Sequence, residues 1–140
     1  MSWIWAALGG AAGASLRYGI YQWLNRCESS PLEAVAPAAV VPTAAGTLVV
    51  NLLGSLLIGL VVGFFDAKSI TDERLRIFLV VGVLGGFTTM SALGIEGWQL
   101  LREGHTVKSL LLILGQSVGC VLLAATGWTL ARTLWGTAGN

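Results

Sequence analysis

Charge is the first thing this sequence lacks. Only 11% of its 140 residues are Asp, Glu, Lys or Arg, while 55% are hydrophobic; an average soluble domain carries about 25% charged residues. That shortage points to lipid as the solvent. The formal net charge of +1 offers no basic face for nucleic acid. Histidine is confined to His105, which reads as a solvated loop residue, and cysteine to Cys27 and Cys120. With no CxxC and no Cys/His spacing, zinc and haem have no support, and a disulfide between cysteines in such different surroundings is not expected. No nucleophile and base pair, metal cluster or phosphate loop is visible, so no enzyme reading survives. The GGAAGA stretch at residues 9–14 superficially looks like a nucleotide fingerprint, but it follows no strand. Proline occurs three times, always between Asn25 and Pro42.

What is abundant is apolar sequence in long runs. Crossing about 30 Å of hydrocarbon takes roughly 20 helical residues, and four runs suffice: Trp3 to Leu24, Thr43 to Phe65, Ile77 to Leu101 and Val107 to Leu134. The expectation is an all-α membrane protein of four spans, forming one membrane domain over residues 1–140. The first run lacks a basic n-region and contains Arg17, so it reads as a retained span rather than a signal peptide. Asn25 to Pro42 is the one long connection. Thr71 followed by Asp72 and Glu73 predicts an N-cap with acids in the first turn before the third span. The six tryptophans fall mostly toward the ends of the runs, as interfacial anchors do.

Orientation follows the distribution of Lys and Arg. With four spans, one side carries Lys68, Arg74, Arg76 and Arg132, and the other Arg26, Arg102 and Lys108. A four-to-three split gives the insertion machinery almost no instruction. Copies inserted both ways up, pairing as an antiparallel dual-topology homodimer, are the expected consequence. Glycine recurs at four-residue spacing in Gly9 with Gly13, Gly59 with Gly63, Gly82 with Gly86, and Gly115 with Gly119. Such small faces let helices approach closely in lipid.

Polar residues inside the runs carry the chemistry. Thr47, Asn51 and Ser55 stand at i, i+4 and i+8, one column on one face of the second span. Polar groups in this setting face a partner or a wet cavity, and Asn51 cannot satisfy itself on its own helix. The third span reads Gly85-Gly86-Phe87-Thr88-Thr89-Met90-Ser91 near the middle of its 25 residues. Two adjacent glycines, each about 1 kcal/mol weaker than alanine in a helix, predict a break there. In hydrocarbon a broken helix persists only where the released N–H and C=O groups meet protein, water or an ion, and discontinuous spans are how channels and transporters aim helix ends at ions. Arg17 and Glu96 lie inside spans, where they either snorkel to the interface or line an anion vestibule and an access route. Gln116 and Cys120, one turn apart on the fourth span, add a second polar stripe.

Gly13-Ala14-Ser15-Leu16-Arg17-Tyr18, Gly46-Thr47-Leu48-Val49-Val50-Asn51-Leu52-Leu53-Gly54, and Gly85 through Ser91 with Glu96 together resemble, in order and spacing, the signatures of the small dual-topology fluoride channels called the Fluc (CrcB-type) family. The resemblance covers all four spans, the fourth only loosely. It implies a passive, fluoride-selective channel in the bacterial inner membrane that protects the cytoplasm, built as an antiparallel homodimer with two pores. It also implies a structural Na+ ion at the dimer interface, held by backbone carbonyls that by motif match belong to Gly85 and Thr88 of both subunits. The pathway implied for fluoride runs along Asn51, Thr47, Thr89 and Ser91, past Met90 and Leu93, with Gln116 on the fourth span and Arg17 and Glu96 near the vestibules. Fluoride is small and strongly hydrated, and amides and hydroxyls at helical spacing supply the dense donors that replace its water.

The sequence departs from the family where two phenylalanines normally follow the break; Met90 and Leu93 stand there instead. Gln116 also replaces a small polar residue or a histidine. The alternatives are a related anion channel of altered selectivity, a non-conducting accessory subunit, and a small dual-topology proton-coupled transporter. The last would want a buried acid in the first span, where this chain has Arg17.

Overall fold

A computed structural model describes residues 2–28 and 44–136. The described residues contain helices and no strand. In chain order these are α1 (Ser2–Glu28), α2 (Ala44–Ala67), α3 (Glu73–Arg76), a π-helical run (Ile77–Leu84), α4 (Gly85–Phe87), α5 (Met90–Arg102) and α6 (Thr106–Trp135). Among the described residues, three helical stretches are long and apolar enough to cross a membrane: Ala45–Ala67, Glu73–Arg102 counted through its interruption, and Thr106–Trp135. They correspond to the second, third and fourth runs. At 27 residues α1 has the length, but Arg17 and its glycines and tyrosines leave it less apolar than the other three.

Two sequence expectations move at the boundaries. The helix of α1 continues through Glu28, so Asn25 to Glu28 belong to it, and the remainder of the first connection with its prolines lies outside the described residues. The cap before the third span is Asp72 instead of Thr71: Asp72 Oδ1 accepts from the N–H groups of Arg74 at 2.9 Å and Leu75 at 3.2 Å. A carboxylate one residue nearer the helix serves two orphan amides at once.

Packing joins the helices in two principal pairs, α1 along the π-helical run and α4, and α2 along α6, while α5 leans on α6. Glycine explains both pairs. A methyl group built on Gly82 would lie 2.7 Å from Gly9 Cα, and one on Gly86 would lie 2.7 Å from the Gly10 carbonyl oxygen. On the other pair, a methyl on Gly63 would meet the Trp128 carbonyl at 2.6 Å. Backbone touches backbone at these points, which only glycine permits. The widened π-helical turn lies directly against Gly9, which is close to Phe78 and Gly82 of that run. The fourth glycine pair behaves differently. Gly115 has open space beside it and Gly119 meets only the end of the Leu52 side chain on α2, so this pair makes no backbone-to-backbone approach among the described residues.

The aromatic residues divide similarly. Trp3, Trp23 and Trp98 are well exposed, as anchors at the lipid interface are. Trp128 instead donates its Nε1–H to Asp66 Oδ2 at 3.0 Å, with Arg132 4.9 Å above its ring, tying the end of α2 to the end of α6. Among the described residues the buried apolar core is small, centred on Val50, Phe65, Phe87, Leu93 and Ala131. Long apolar side chains on α6, including Leu111 and Val121, point outward, as lipid-facing residues do.

Candidate functional site

The third span is broken, but not at its glycines. Gly85 and Gly86 are helical, and the chain extends at Thr88 (φ −79°, ψ 159°) and Thr89 (φ −149°, ψ 114°) before α5 begins at Met90. The expectation of a break at Gly85-Gly86 is thus corrected by about three residues. Close approach to α1 is what Gly86 provides, as its contact with Gly10 shows. The threonines can leave the helix because their side chains replace what the backbone gives up. Thr88 Oγ1 donates to the Leu84 carbonyl at 3.1 Å, closing α4. Thr89 Oγ1 accepts from Ala92 N–H at 3.3 Å, capping α5, and lies 3.1 Å from Ser91 Oγ. A threonine N-cap of this kind is worth about 1 kcal/mol.

Asn51 reaches the break from α2 and engages one residue with both ends of its amide. Its Oδ1 accepts from Thr89 N–H at 2.7 Å, and its Nδ2 donates to the Thr89 carbonyl at 2.9 Å. The two contacts fix the orientation of the amide, since a flipped group would set donor against donor. Thr47, one turn earlier, is wholly buried and donates its hydroxyl to Glu96 Oε1 on α5. Gln116 of α6 donates Nε2–H to the Thr47 carbonyl at 3.4 Å, a long contact. Glu96 is 7% exposed and Gln116 2%, so Glu96 sits in the interior against Thr47 and does not snorkel. Glu96 Oε2 and Gln116 Oε1 are buried without a protein partner.

Two cavities meet at the break. One of about 250 Å3 is lined by Asn51, Ser55, Thr88, Thr89, Met90, Leu93, Gln116, Ser117 and Cys120, with Gly54 and Ile58. The other, about 470 Å3, is lined by Arg17, Tyr18, Tyr21, Thr89, Ser91 and Ile95. Thr89 borders both. Of the residues singled out in the sequence, Asn51, Thr89, Met90, Leu93 and Gln116 share the first cavity, Arg17 and Ser91 share the second, and Thr47 and Glu96 form a bonded pair outside either lining. The column expected on α2 therefore divides, with Thr47 turned to Glu96, Asn51 to the break and Ser55 to the cavity wall. Leu93 is buried, whereas Met90 is 70% exposed. Sequence reasoning missed Ser117, whose hydroxyl is bonded to the Ile113 carbonyl, and the two tyrosines beside Arg17. Tyr18 and Tyr21 carried a signal, lying one and four residues along α1 from Arg17.

The carbonyls implied as sodium ligands can be tested against the hydrogen bonding. In a continuous helix Gly85 C=O accepts from Thr89 N–H, and Thr88 C=O from Ala92 N–H. Here Thr89 N–H goes to Asn51 and Ala92 N–H to the Thr89 hydroxyl. Both carbonyls lose their usual donors, and Gly85 lies at the chain's surface. Hard monovalent cations favour such oxygen ligands, so these residues fit the group. Among the described residues no cluster of His, Cys, Asp and Glu offers another metal site.

Comparison with known proteins agrees with this architecture. Residues 4–128 match the family described as CrcB-like protein, Camphor Resistance (CrcB). A protein of Helicobacter acinonychis (strain Sheeba) named fluoride-specific ion channel FluC is 38% identical over 133 residues, covering 92% of this chain and 94% of the relative. Proteins of the same name from Helicobacter pylori (strain J99) and Chloroflexus aurantiacus are each 36% identical, over 137 and 130 residues, covering 95% and 93% of this chain and 95% and 94% of the relatives. With three helices apolar enough to cross a bilayer, a broken span between two cavities and similarity along nearly its whole length, this chain is a multi-pass membrane protein of the CrcB-like family.

Proposed function

We propose that this protein is a passive, fluoride-selective ion channel that exports fluoride from the cytoplasm across the bacterial inner membrane. The observation that carries the reading is the cavity at the broken span, whose polar lining consists of amides, hydroxyls and a thiol with no charged side chain: Asn51, Ser55, Thr88, Thr89, Gln116, Ser117 and Cys120. Fluoride loses a tightly held water shell only where donors are dense, and a fixed positive charge in the narrow part would hold the ion too long to conduct. Arg17, in the adjoining cavity, raises the local anion concentration where solvent still screens it. Thr89 and Ser91 hand the ion between the two cavities, and Asn51, with two N–H groups on Nδ2 and one given to Thr89, has a second to offer. Thr47 and Glu96, with Gln116, hold α2, α5 and α6 together beside that route and form its polar border.

In this reading α1 also crosses the membrane, as the first of four spans, and the active unit is an antiparallel dual-topology homodimer with two pores. The four-to-three basic split supports it, as do the outward apolar faces. Gly85 and Thr88 carbonyls would hold the structural sodium, which supplies fixed positive charge between the subunits. A proton-coupled drug transporter is the rival of another class. The described membrane acid, Glu96, is committed to Thr47. Liposomes containing only this protein decide between them: fluoride efflux well above chloride efflux, with no proton-driven drug uptake, is expected. No fluoride flux from the dimer would leave the family membership standing and remove the function.

A further inference from the structure

We infer that Asn51 is a positioning residue as well as an anion contact: it is the brace that keeps the third span broken at Thr88-Thr89. This inference deepens the channel reading and assigns Asn51 a role that an anion donor alone does not require. An anion contact needs only N–H groups aimed at the ion. Asn51 also uses its carbonyl oxygen, and both ends of its amide go to the same backbone residue, at 2.7 and 2.9 Å. The amide thereby does for Thr89 what a neighbouring strand would do, satisfying its N–H and C=O together. In a span surrounded by hydrocarbon those two groups otherwise return to the helix, because each buried unpaired backbone group is heavily penalised.

The consequence reaches beyond Thr89. While Asn51 holds Thr89 N–H, that group does not bond to the Gly85 carbonyl, and the extended geometry lets the Thr89 side chain take Ala92 N–H away from the Thr88 carbonyl. One side chain on α2 thus sets which carbonyls the third span presents. It also fixes the wall shared by the two cavities, since Thr89 lines both. The brace comes from 38 residues away in sequence and is 7% exposed, so water does not compete for it. Losing two buried hydrogen bonds of about 1 kcal/mol each corresponds to roughly a thirtyfold change in an equilibrium.

The experiment measures the break and the flux separately. Protein labelled with 15N-threonine and 13C-threonine is placed in nanodiscs, and the Thr89 backbone 13C shifts, which distinguish extended from helical geometry, are compared in wild type and Asn51→Ala, beside fluoride efflux of each from liposomes. The shifts, extended in wild type, are expected to move toward helical values in Asn51→Ala, the balance between broken and closed span changing by roughly thirtyfold, with flux lost. Flux lost while the Thr89 shifts stay at their wild-type values overturns the brace and leaves Asn51 as an anion contact alone. The shifts decide the brace even if wild type passes no fluoride, which would remove the channel reading instead.

Asn51→Asp serves if the alanine variant does not fold. Ionised, Asp keeps an acceptor for Thr89 N–H but sets a second oxygen against the Thr89 carbonyl; protonated, it restores a donor there. The Thr89 carbonyl 13C shift should therefore move toward the wild-type value as pH falls. Ionisable groups facing this region are Glu96 of α5, Cys120 of α6 and Arg17, Tyr18 and Tyr21 of α1, and the wild-type profile over the same range corrects for them. A carbonyl shift that does not change with pH in Asn51→Asp overturns the proposal.

Discussion

Gly9 and Gly10 are neighbours on α1 and indistinguishable by composition, yet the structure assigns them opposite sensitivity to a single methyl group. A Cβ at Gly9 would stand 2.9 Å from Gly82 Cα and 3.0 Å from Val83 N, and closer still to the Phe78 carbonyl oxygen. All three are backbone atoms of the π-helical run. Reaching ordinary contact near 3.4 Å from Gly82 Cα requires the two helices to part by about 0.5 Å, and clearing the nearer Phe78 carbonyl oxygen requires about twice that. Such overpacking costs about 1–3 kcal/mol. At Gly10 a methyl finds nothing within 4 Å. Alanine improves helix propensity by up to about 1 kcal/mol at either position, so the difference between variants isolates the clash. Gly9→Ala should be less stable than Gly10→Ala by about 1–3 kcal/mol. Unfolding in mixed micelles by titrated SDS, followed by tryptophan emission, reads this directly, because Trp5 lies edge-on to Phe78 at 6.5 Å across the same contact. Equal unfolding midpoints for the two variants would refute the packing of α1 on the third span.

Thr47→Val keeps the side-chain shape but removes the hydroxyl that Glu96 accepts from; the buried carboxylate left behind should lower stability by about 1–3 kcal/mol, and Thr47→Ser should recover most of it, whereas an unchanged midpoint in Thr47→Val would detach Glu96 from this contact. Met90→Phe with Leu93→Phe should alter the fluoride rate, because both positions line the cavity at the break and a phenyl ring presents a partly positive edge; an identical rate would take both side chains out of the anion path. Leu93→Phe alone should also cost stability, since Leu93 is 2% exposed and Met90 is not buried. Single cysteines introduced into the connection at residues 68–72 and into that at 103–105 should label from both faces of one membrane if insertion is dual; labelling from one face only would end the antiparallel dimer.

The sequence by itself determined what depends on local spacing. Apolar runs marked the second, third and fourth spans, because about 20 residues of low polarity have few alternatives to a membrane helix. The i, i+4 register set Thr47 and Asn51 on one face of α2, and glycine spacing identified two helix pairs that do approach backbone to backbone. Local spacing also overreached. Gly85-Gly86 and Gly115 with Gly119 each offer two glycines, but one pair sits within a helix, with Gly86 against the backbone of α1, and the other meets at most the end of the Leu52 side chain. What a glycine admits is decided by its neighbour across the gap, which spacing does not reveal.

The break was foreseen but misplaced for the same reason. Low helix propensity says where a helix is weak; where it opens depends on which residue can have its released groups satisfied. That required Asn51, 38 residues away, and the hydroxyls of Thr88 and Thr89. Glu96 was legible as a charge inside a span, but its partner Thr47, 49 residues distant, was not. A buried polar side chain announces in the sequence that it needs a partner, and only the tertiary structure, by bringing α2, α5 and α6 against one another, decided which group fills that need.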